Sequence, residues 1–283
     1  MIQSYFGIKD IPFTINSKSP LLKHQQRHLD ILKVHARQGG LCLVIGEPGT
    51  GKTILKNALT KLDPSQMVTL IINRSLHTWH NMLRLLCQAF EIESTGADNK
   101  CEAALIKEAR NLNAKGKSIM IIIDDAHLIP IEALRRLRLL LEDFPKNRNL
   151  VLIGQPELNT TLQLKINFDI KNRITYSAKL DLLKYDDLKD FIYAQLDKVG
   201  LPHHTFTERA VNLIIRSSEG TLRTVKNVCL GALIEAVRNQ TKVIDLNEVN
   251  AVLIQPHWRQ NQQNEPQQPI LMSNHKPPQK SQN

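Results

Sequence analysis

Leu41-Cys42-Leu43-Val44-Ile45-Gly46-Glu47-Pro48-Gly49-Thr50-Gly51-Lys52-Thr53-Ile54 is the stretch on which the reading of this chain turns. Leu41 to Ile45 is a short apolar run of strand formers, Gly46 to Thr53 completes the pattern G-x-x-x-x-G-K-[ST], and Ile54-Leu55-Lys56-Asn57-Ala58-Leu59 reads as a helix. A loop between a buried strand and a helix N-terminus presents backbone N–H groups and the positive end of the helix dipole to an anion. Gly46 and Gly51 permit backbone angles and close approaches that a Cβ would block. The stretch therefore predicts a nucleoside triphosphate site made by Gly46, Glu47, Pro48, Gly49, Thr50, Gly51, Lys52, Thr53 and Ile54. In it Lys52 places a point charge on the β and γ oxygens and the Thr53 hydroxyl ligates Mg²⁺.

Outward from the loop, apolar runs recur at Met67 to Ile72, Ile119 to Ile123, Leu150 to Ile153 and, more weakly, Ile174 to Ala178. Helical periodicities lie between them, such as Trp79, Met82, Leu83, Leu86 and Phe90, or Leu134, Leu137, Leu140 and Leu141. Strands alternating with helices predict a parallel α/β sheet flanked by helices. From about Leu182 the strand signal stops. Helices are expected over Tyr185 to Val199, Thr207 to Ser217, Arg223 to Asn239 and Leu246 to Ile254, the last capped by Asp245. After Pro256 the chain turns to Gln, Asn, Pro, Ser and Lys around one apolar island, Ile270-Leu271-Met272. The expected organisation is a nucleotide-binding α/β domain over 1–181, an all-helical domain over 182–255 and a disordered polar tail over 256–283.

At 283 residues the chain is long enough for one large and one small domain. No stretch approaches a membrane span of about eighteen apolar residues, and the N-terminus, with Asp10 and Pro12, lacks the apolar core of a signal peptide, so a cytoplasmic location is expected. Cys42, Cys87, Cys101 and Cys229 are widely spaced within apolar patterns and read as reduced core residues. A formal net charge of +10 favours a polyanionic partner and a salt-sensitive association.

Ile119 to Ile123 ends in Asp124-Asp125, an apolar strand delivering carboxylates to the phosphate end of the sheet. Asp124 is the residue expected to hold Mg²⁺ through its water shell. Asp125 stands where hydrolytic P-loop proteins carry a general base, usually Glu, and its shorter side chain predicts slow hydrolysis. Gln155, after the strand Leu150 to Ile153, either senses the γ-phosphate and orients water or caps the turn that follows the strand. Arg173, just before the last strand, is placed as a finger toward a neighbouring subunit's γ-phosphate. Arg223, after Gly220-Thr221-Leu222, opens a helix of the second domain and is placed to swing onto the phosphates when that domain closes.

Tyr5-Phe6-Gly7 with Ile11-Pro12-Phe13, the loop Gly46 to Thr53, Asp124-Asp125-Ala126-His127, Arg138-Leu139-Leu140, Gly154 to Leu158, Asn172-Arg173-Ile174 and Gly220-x-x-Arg223 together resemble the AAA+ ATPases of the ExeA-like (general secretion pathway protein A) branch. The likeness covers about Tyr5 to Ile254. It implies ATP as the nucleotide, Lys52 and Thr53 as Walker A, Asp124 and Asp125 as Walker B, Gln155 as sensor 1, Arg173 as arginine finger and Arg223 as sensor 2. It also implies that Tyr5, Phe6 and Phe13 pack near the adenine, that the helical domain is a lid, and that subunits assemble as rings or helical filaments. The chain departs from the branch in carrying Asp125 and His127 where Asp-Glu-Ala-Gln is usual, and Leu222 where proline precedes the arginine.

Short soluble relatives of that branch, similar in role to Mu B and Tn7-type target-selection ATPases, bind DNA as ATP-dependent oligomers and recruit or activate a transposase. The basic balance agrees with such a role, and Arg135, Arg136 and Arg138, or Arg74, His77 and Lys56, are candidate backbone-contacting positions, with a solvated helix face as the alternative for Arg135 and Arg136 and a role in the fold or the subunit interface for Arg138. The tail, through Ile270-Leu271-Met272, is a candidate docking peptide for a protein partner. Two competing readings stand beside this one: an assembly ATPase for a secretion or envelope complex, and a slowly hydrolysing nucleotide-dependent scaffold.

Overall fold

The computed structural model describes residues 1–14, 21–73, 78–93 and 96–255. A short helix α1 (Ile2–Phe6) precedes α2 (Lys23–Gln38), β1 (Gly40–Gly46), α3 (Lys52–Leu59), β2 (Met67–Ile72), α4 (Trp79–Ala89), α5 (Asp98–Ala114) and β3 (Ser118–Ile123). Next come α6 (Ile131–Glu142), β4 (Arg148–Gly154), α7 (Pro156–Gln163), the single turn α8 (Phe168–Lys171) and β5 (Ile174–Leu180). Among the described residues four helices follow without a further strand: α9 (Tyr185–Val199), α10 (Glu208–Ser217), α11 (Leu222–Arg238) and α12 (Leu246–Leu253). The expected tail, with Ile270 to Met272, and the positions Arg74 and His77 lie outside the described residues.

The five strands form one parallel sheet in the order β2-β3-β4-β1-β5. Every expected apolar run is one of its strands. The runs are continuous rather than alternating because both faces are covered, as parallel sheets require. Leu41, Leu43 and Ile45 join Ile121, Ile123 and Leu152 in a core beneath α4, α5 and α6. Their alternates Cys42 and Val44 join Met120, Ile122, Val151 and Ile153 in a core against α2 and α3. Leu55 and Leu59 of α3 are fully buried there, and truncating either to alanine costs about 2–5 kcal/mol. That packing fixes the angle at which α3 carries the end of the loop.

Helices α2 and α5 have no counterpart among the sequence expectations. Their buried stripes are narrow: Leu29, Leu32 and Ala36 in α2, and Cys101, Leu105 and Ala109 in α5. So few apolar positions among many polar ones give a weak 3.6-residue signal.

A separate core holds α9 to α12 together and takes in Ile2, Ile8 and Phe13 from the chain's start. Thr207 caps α10 by accepting from the Ala210 amide, and Asp245 with Glu248 forms a capping box on α12. Phe13 is 2% exposed, edge-on to Phe206 with ring centroids 6.1 Å apart, so its ring is committed to this core and not open for stacking on a base. Tyr5 and Phe6 are half-buried against the same helices. The cysteines are all free and buried. Among the described residues no helix is long and apolar enough to cross a membrane.

Candidate nucleotide site

Strand order decides what meets at the phosphate loop. With β1 beside β4 and β4 beside β3, the C-terminal ends of the three strands carry the loop, Gln155 and Asp124 in adjacent positions. Ile45 is in register with Gly154, which places Gln155 next to the loop's first glycine.

The loop is a tight turn closed on itself. Thr50 Oγ1 donates to the Glu47 carbonyl at 2.8 Å, and the Ile54 and Leu55 amides begin the helical ladder by donating to Gly51. Gly51, the N-cap of α3, has φ +97, and Gly49 has φ +88, both in the region that penalises a Cβ. Lys52 Nζ donates to the Gly46 and Glu47 carbonyls at 2.6 and 2.9 Å, so its ammonium lies over the turn where phosphates are to be bound. Burial holds its pKa below the ordinary lysine value, and Arg223 lowers it further, while Asp124, Asp125 and Glu47 oppose the shift. Thr53 is exposed on the first turn of α3.

One residue of this site went unseen in the sequence. Gln25 of α2 is fully buried beneath the loop, its Nε2 donating to the Thr50 carbonyl at 3.3 Å and its Oε1 accepting the Leu22 amide at 3.1 Å. It lies so close to Gly51 that a Cβ there would meet Nε2 at 2.1 Å. Glutamine in a helix carries no motif, and 25 residues separate it from Thr50.

Asp124 is held on both carboxylate oxygens: Oδ2 by Lys56 Nζ at 2.6 Å and Oδ1 by the Asp125 amide at 3.0 Å. Lys56 also donates to Asn73 at 2.8 Å. This corrects the suggestion that Lys56 contacts nucleic acid, because its ammonium is engaged inside the site. The carboxylate already holds one cationic group, and with the Thr53 hydroxyl it offers the hard oxygen donors that Mg²⁺ takes. The residues present fit that ion. Asp125 is exposed and in the left-handed region at φ +51, a conformation that aspartate tolerates better than most residues.

Gln155, the N-cap of α7 ahead of Pro156, has its amide 2.8 Å from His127 Nε2. The turn after Asp124 and Asp125 is thereby tied to the end of β4, and His127 Nδ1 is buried without a hydrogen-bond partner among the described residues. A cavity of 550 Å³ opens beside Gly46 and Glu47, lined also by Pro156, Asn159, Lys179 and Asp181.

The helical unit touches the loop directly. The Leu222 amide donates to the Gly49 carbonyl at 2.9 Å, and a Cβ on Gly49 would stand 3.1 Å from the Cβ atoms of Thr221 and Arg223. Arg223, near the N-terminus of α11, is thus seated at the loop with its side chain exposed.

Arg173 is not part of this assembly of residues. It precedes β5 at the opposite end of the sheet, roughly 20 Å away for a seven-residue strand. There it is 61% exposed, pairs with Glu142 at 3.1 Å, and lines a cleft of 310 Å³ with Arg138, Lys146 and Arg148. Arg135 is likewise engaged within the chain: it binds Glu132, the Ile166 carbonyl and Asn167, and so fastens α6 to the turn before α8. That corrects its suggested role in backbone contact. Arg138 pairs with Glu142 at 2.9 Å, while Arg136 is exposed on α6 and has no ion pair among the described residues.

Residues 35–162 match the family model described as AAA domain. General secretion pathway protein A of Aeromonas hydrophila is 32% identical over 256 residues, covering 86% of this chain and 46% of that protein. The chain therefore spans about half the length of the curated relative it matches. Among solved structures, Cdc6p of Pyrobaculum aerophilum matches 84% of this chain and 68% of its own at a TM-score of 0.70 and 18% identity. The ORC2 protein of Aeropyrum pernix in its ADPNP and ADP complexes matches 87% and 72% at 0.67 and 17%. The RuvB Holliday junction branch migration motor of Thermotoga maritima matches 82% and 66% at 0.56 and 17%. The loop, the paired carboxylates and the helical unit seated on Gly49 thus sit in a P-loop fold shared with these structures, on a chain whose residues 35–162 match the AAA domain and which is similar to General secretion pathway protein A.

Proposed function

We propose that this protein is an ATP-controlled switch that binds DNA as a homo-oligomer, a ring or a helical filament, and recruits or regulates a transposase. ATP favours the oligomer on DNA and hydrolysis disassembles it. The observation that carries the switch is the contact between the Leu222 amide and the Gly49 carbonyl, which couples the helical unit to the loop that a nucleotide occupies. The net charge of +10 supports a polyanionic partner. So do structural neighbours, among them an Aeropyrum pernix ORC1 protein in complex with DNA and a Drosophila ORC bound to DNA.

In this reading the amides of Gly49, Thr50 and Gly51 and the Lys52 ammonium bind the phosphates. Lys52 exchanges its carbonyl partners on Gly46 and Glu47 for the β and γ oxygens. Thr53 and Asp124 would hold Mg²⁺, which when bound would neutralise charge on the phosphate oxygens. Asp125 takes the proton of the attacking water, and Gln155, fixed by His127, orients that water. Arg223 closes on the phosphates from α11, while Arg173, remote from its own loop, serves a neighbour's γ-phosphate. The switch acts in the cytoplasm.

The test is binding to a labelled duplex with ATP, a non-hydrolysable analogue, ADP or no nucleotide, each at two salt concentrations. Tight binding with triphosphate alone is expected; weak, nucleotide-independent binding erased by salt overturns the reading. In that event the second reading, an ATPase for assembly of a secretion or envelope complex, takes its place, supported by the 32% identity to General secretion pathway protein A.

A further inference from the structure

Helix α3 brings two lysines to the carboxylates after β3. Lys52 and Lys56 are four residues apart, about 6 Å along the axis and on one face of the helix. Lys52 is accounted for by the phosphate loop. Lys56 belongs to no nucleotide motif, yet its ammonium is 2.6 Å from Asp124 Oδ2 and 2.8 Å from Asn73 Oδ1. The pair is largely removed from water, with side chains 12% and 17% exposed. Asp124 Oδ1 is engaged by the Asp125 amide. The carboxylate that is to receive the metal's water shell is therefore satisfied on both oxygens by the chain itself.

Two cations cannot share one carboxylate oxygen at hydrogen-bonding distance without strong repulsion in so dry a place. A hydrated magnesium ion reaches Asp124 only as Lys56 withdraws along its flexible stem, leaving the Asn73 amide oxygen as its nearest partner. Conversely, without metal, Lys56 cancels the negative charge that Asp124 would turn toward incoming phosphates. We propose that Lys56 is a positioning residue, the resident counter-ion of Asp124, which lets nucleotide bind with little metal and sets the magnesium concentration at which the complete site forms. The inference rests on the nucleotide site alone and not on the DNA role.

The experiment is titration of the full-length protein with a fluorescent ADP analogue, in EDTA and in a magnesium series, for the parent chain, Lys56→Met and Lys56→Gln. Lys56→Met is expected to bind more weakly than the parent in EDTA and to saturate at lower magnesium. The ratio of affinities with and without metal then rises about tenfold, equivalent to about 1.4 kcal/mol. Lys56→Gln keeps a hydrogen-bond donor for Asp124 while losing the charge, and shows the same direction if Lys56→Met folds poorly. Adding Asp124→Asn to Lys56→Met is expected to restore EDTA binding, because the uncompensated charge is gone. A ratio unchanged in Lys56→Met and Lys56→Gln, including a uniform loss with and without metal, overturns the inference. A parent chain that binds the analogue but ignores magnesium refutes instead the assignment of Thr53 and Asp124 as metal-holding residues.

Discussion

Gln25→Leu removes the two hydrogen bonds under the phosphate loop while keeping the volume of the side chain nearly unchanged. It leaves the Thr50 carbonyl and the Leu22 amide without the partners they have at 3.3 and 3.1 Å. A buried polar group left unpaired costs about 1–3 kcal/mol. Thr50 is fully buried and Leu22 only half-buried, so the first group is charged near the top of that range and the second near the bottom. The sum is about 4 kcal/mol, which for a folded unit of about 150–250 residues lowers Tm by roughly 8–16 °C. The loop also loses the restraint that aims the Thr50 and Gly51 amides, and nucleotide Kd is expected to rise about tenfold. Calorimetric melting measures the first effect and titration with a fluorescent nucleotide the second. A Gln25→Leu protein that melts with the parent and binds nucleotide equally well would refute the claim that this side chain supports the loop.

Gly49→Ala forces a Cβ into the left-handed region at about 1–2 kcal/mol, against Thr221 and Arg223 Cβ atoms 3.1 Å away. Faster hydrogen exchange of the Leu222 amide is expected, and unchanged exchange would remove the coupling between loop and helical unit. Lys52 has a folded pKa below its ordinary 10.5, and phosphate oxyanions raise it again. Nucleotide affinity is therefore full below the lowered pKa and falls as pH rises through it. The nucleotide-free fold gains stability from this group over the window between the lowered value and 10.5. Affinity measured across alkaline pH checks the sign, and a rise would contradict it. Asp125→Glu lengthens the proposed base by one methylene and is expected to raise turnover, at a small stability cost for glutamate at φ +51. Steady-state hydrolysis that fails to increase would sink the account of a shortened base.

Much of this protein was legible along the chain because the relevant signals are local. The loop from Gly46 to Thr53 needs only a strand before it and a helix after it. Asp124 and Asp125 need only the apolar run Ile119 to Ile123 to place them at a strand's end. The helices over Tyr185 to Val199 and around Asp245 were marked by periodicity and caps a few residues apart. Composition set the basic charge without reference to shape.

What tertiary structure alone decided are partnerships across long separations, where residue type carries no address. Folding brought Gln25 under Thr50, 25 residues on, and Gln155 onto His127 across 28. It set Lys56 on Asp124 across 68 residues, turning a lysine that looked like a surface contact into part of the site. The strand order β2-β3-β4-β1-β5 put Asp124, Gln155 and the loop at one end of the sheet and Arg173 at the other. Periodicity reports which face of an element is apolar, but the neighbour that covers it is chosen by packing of the whole chain.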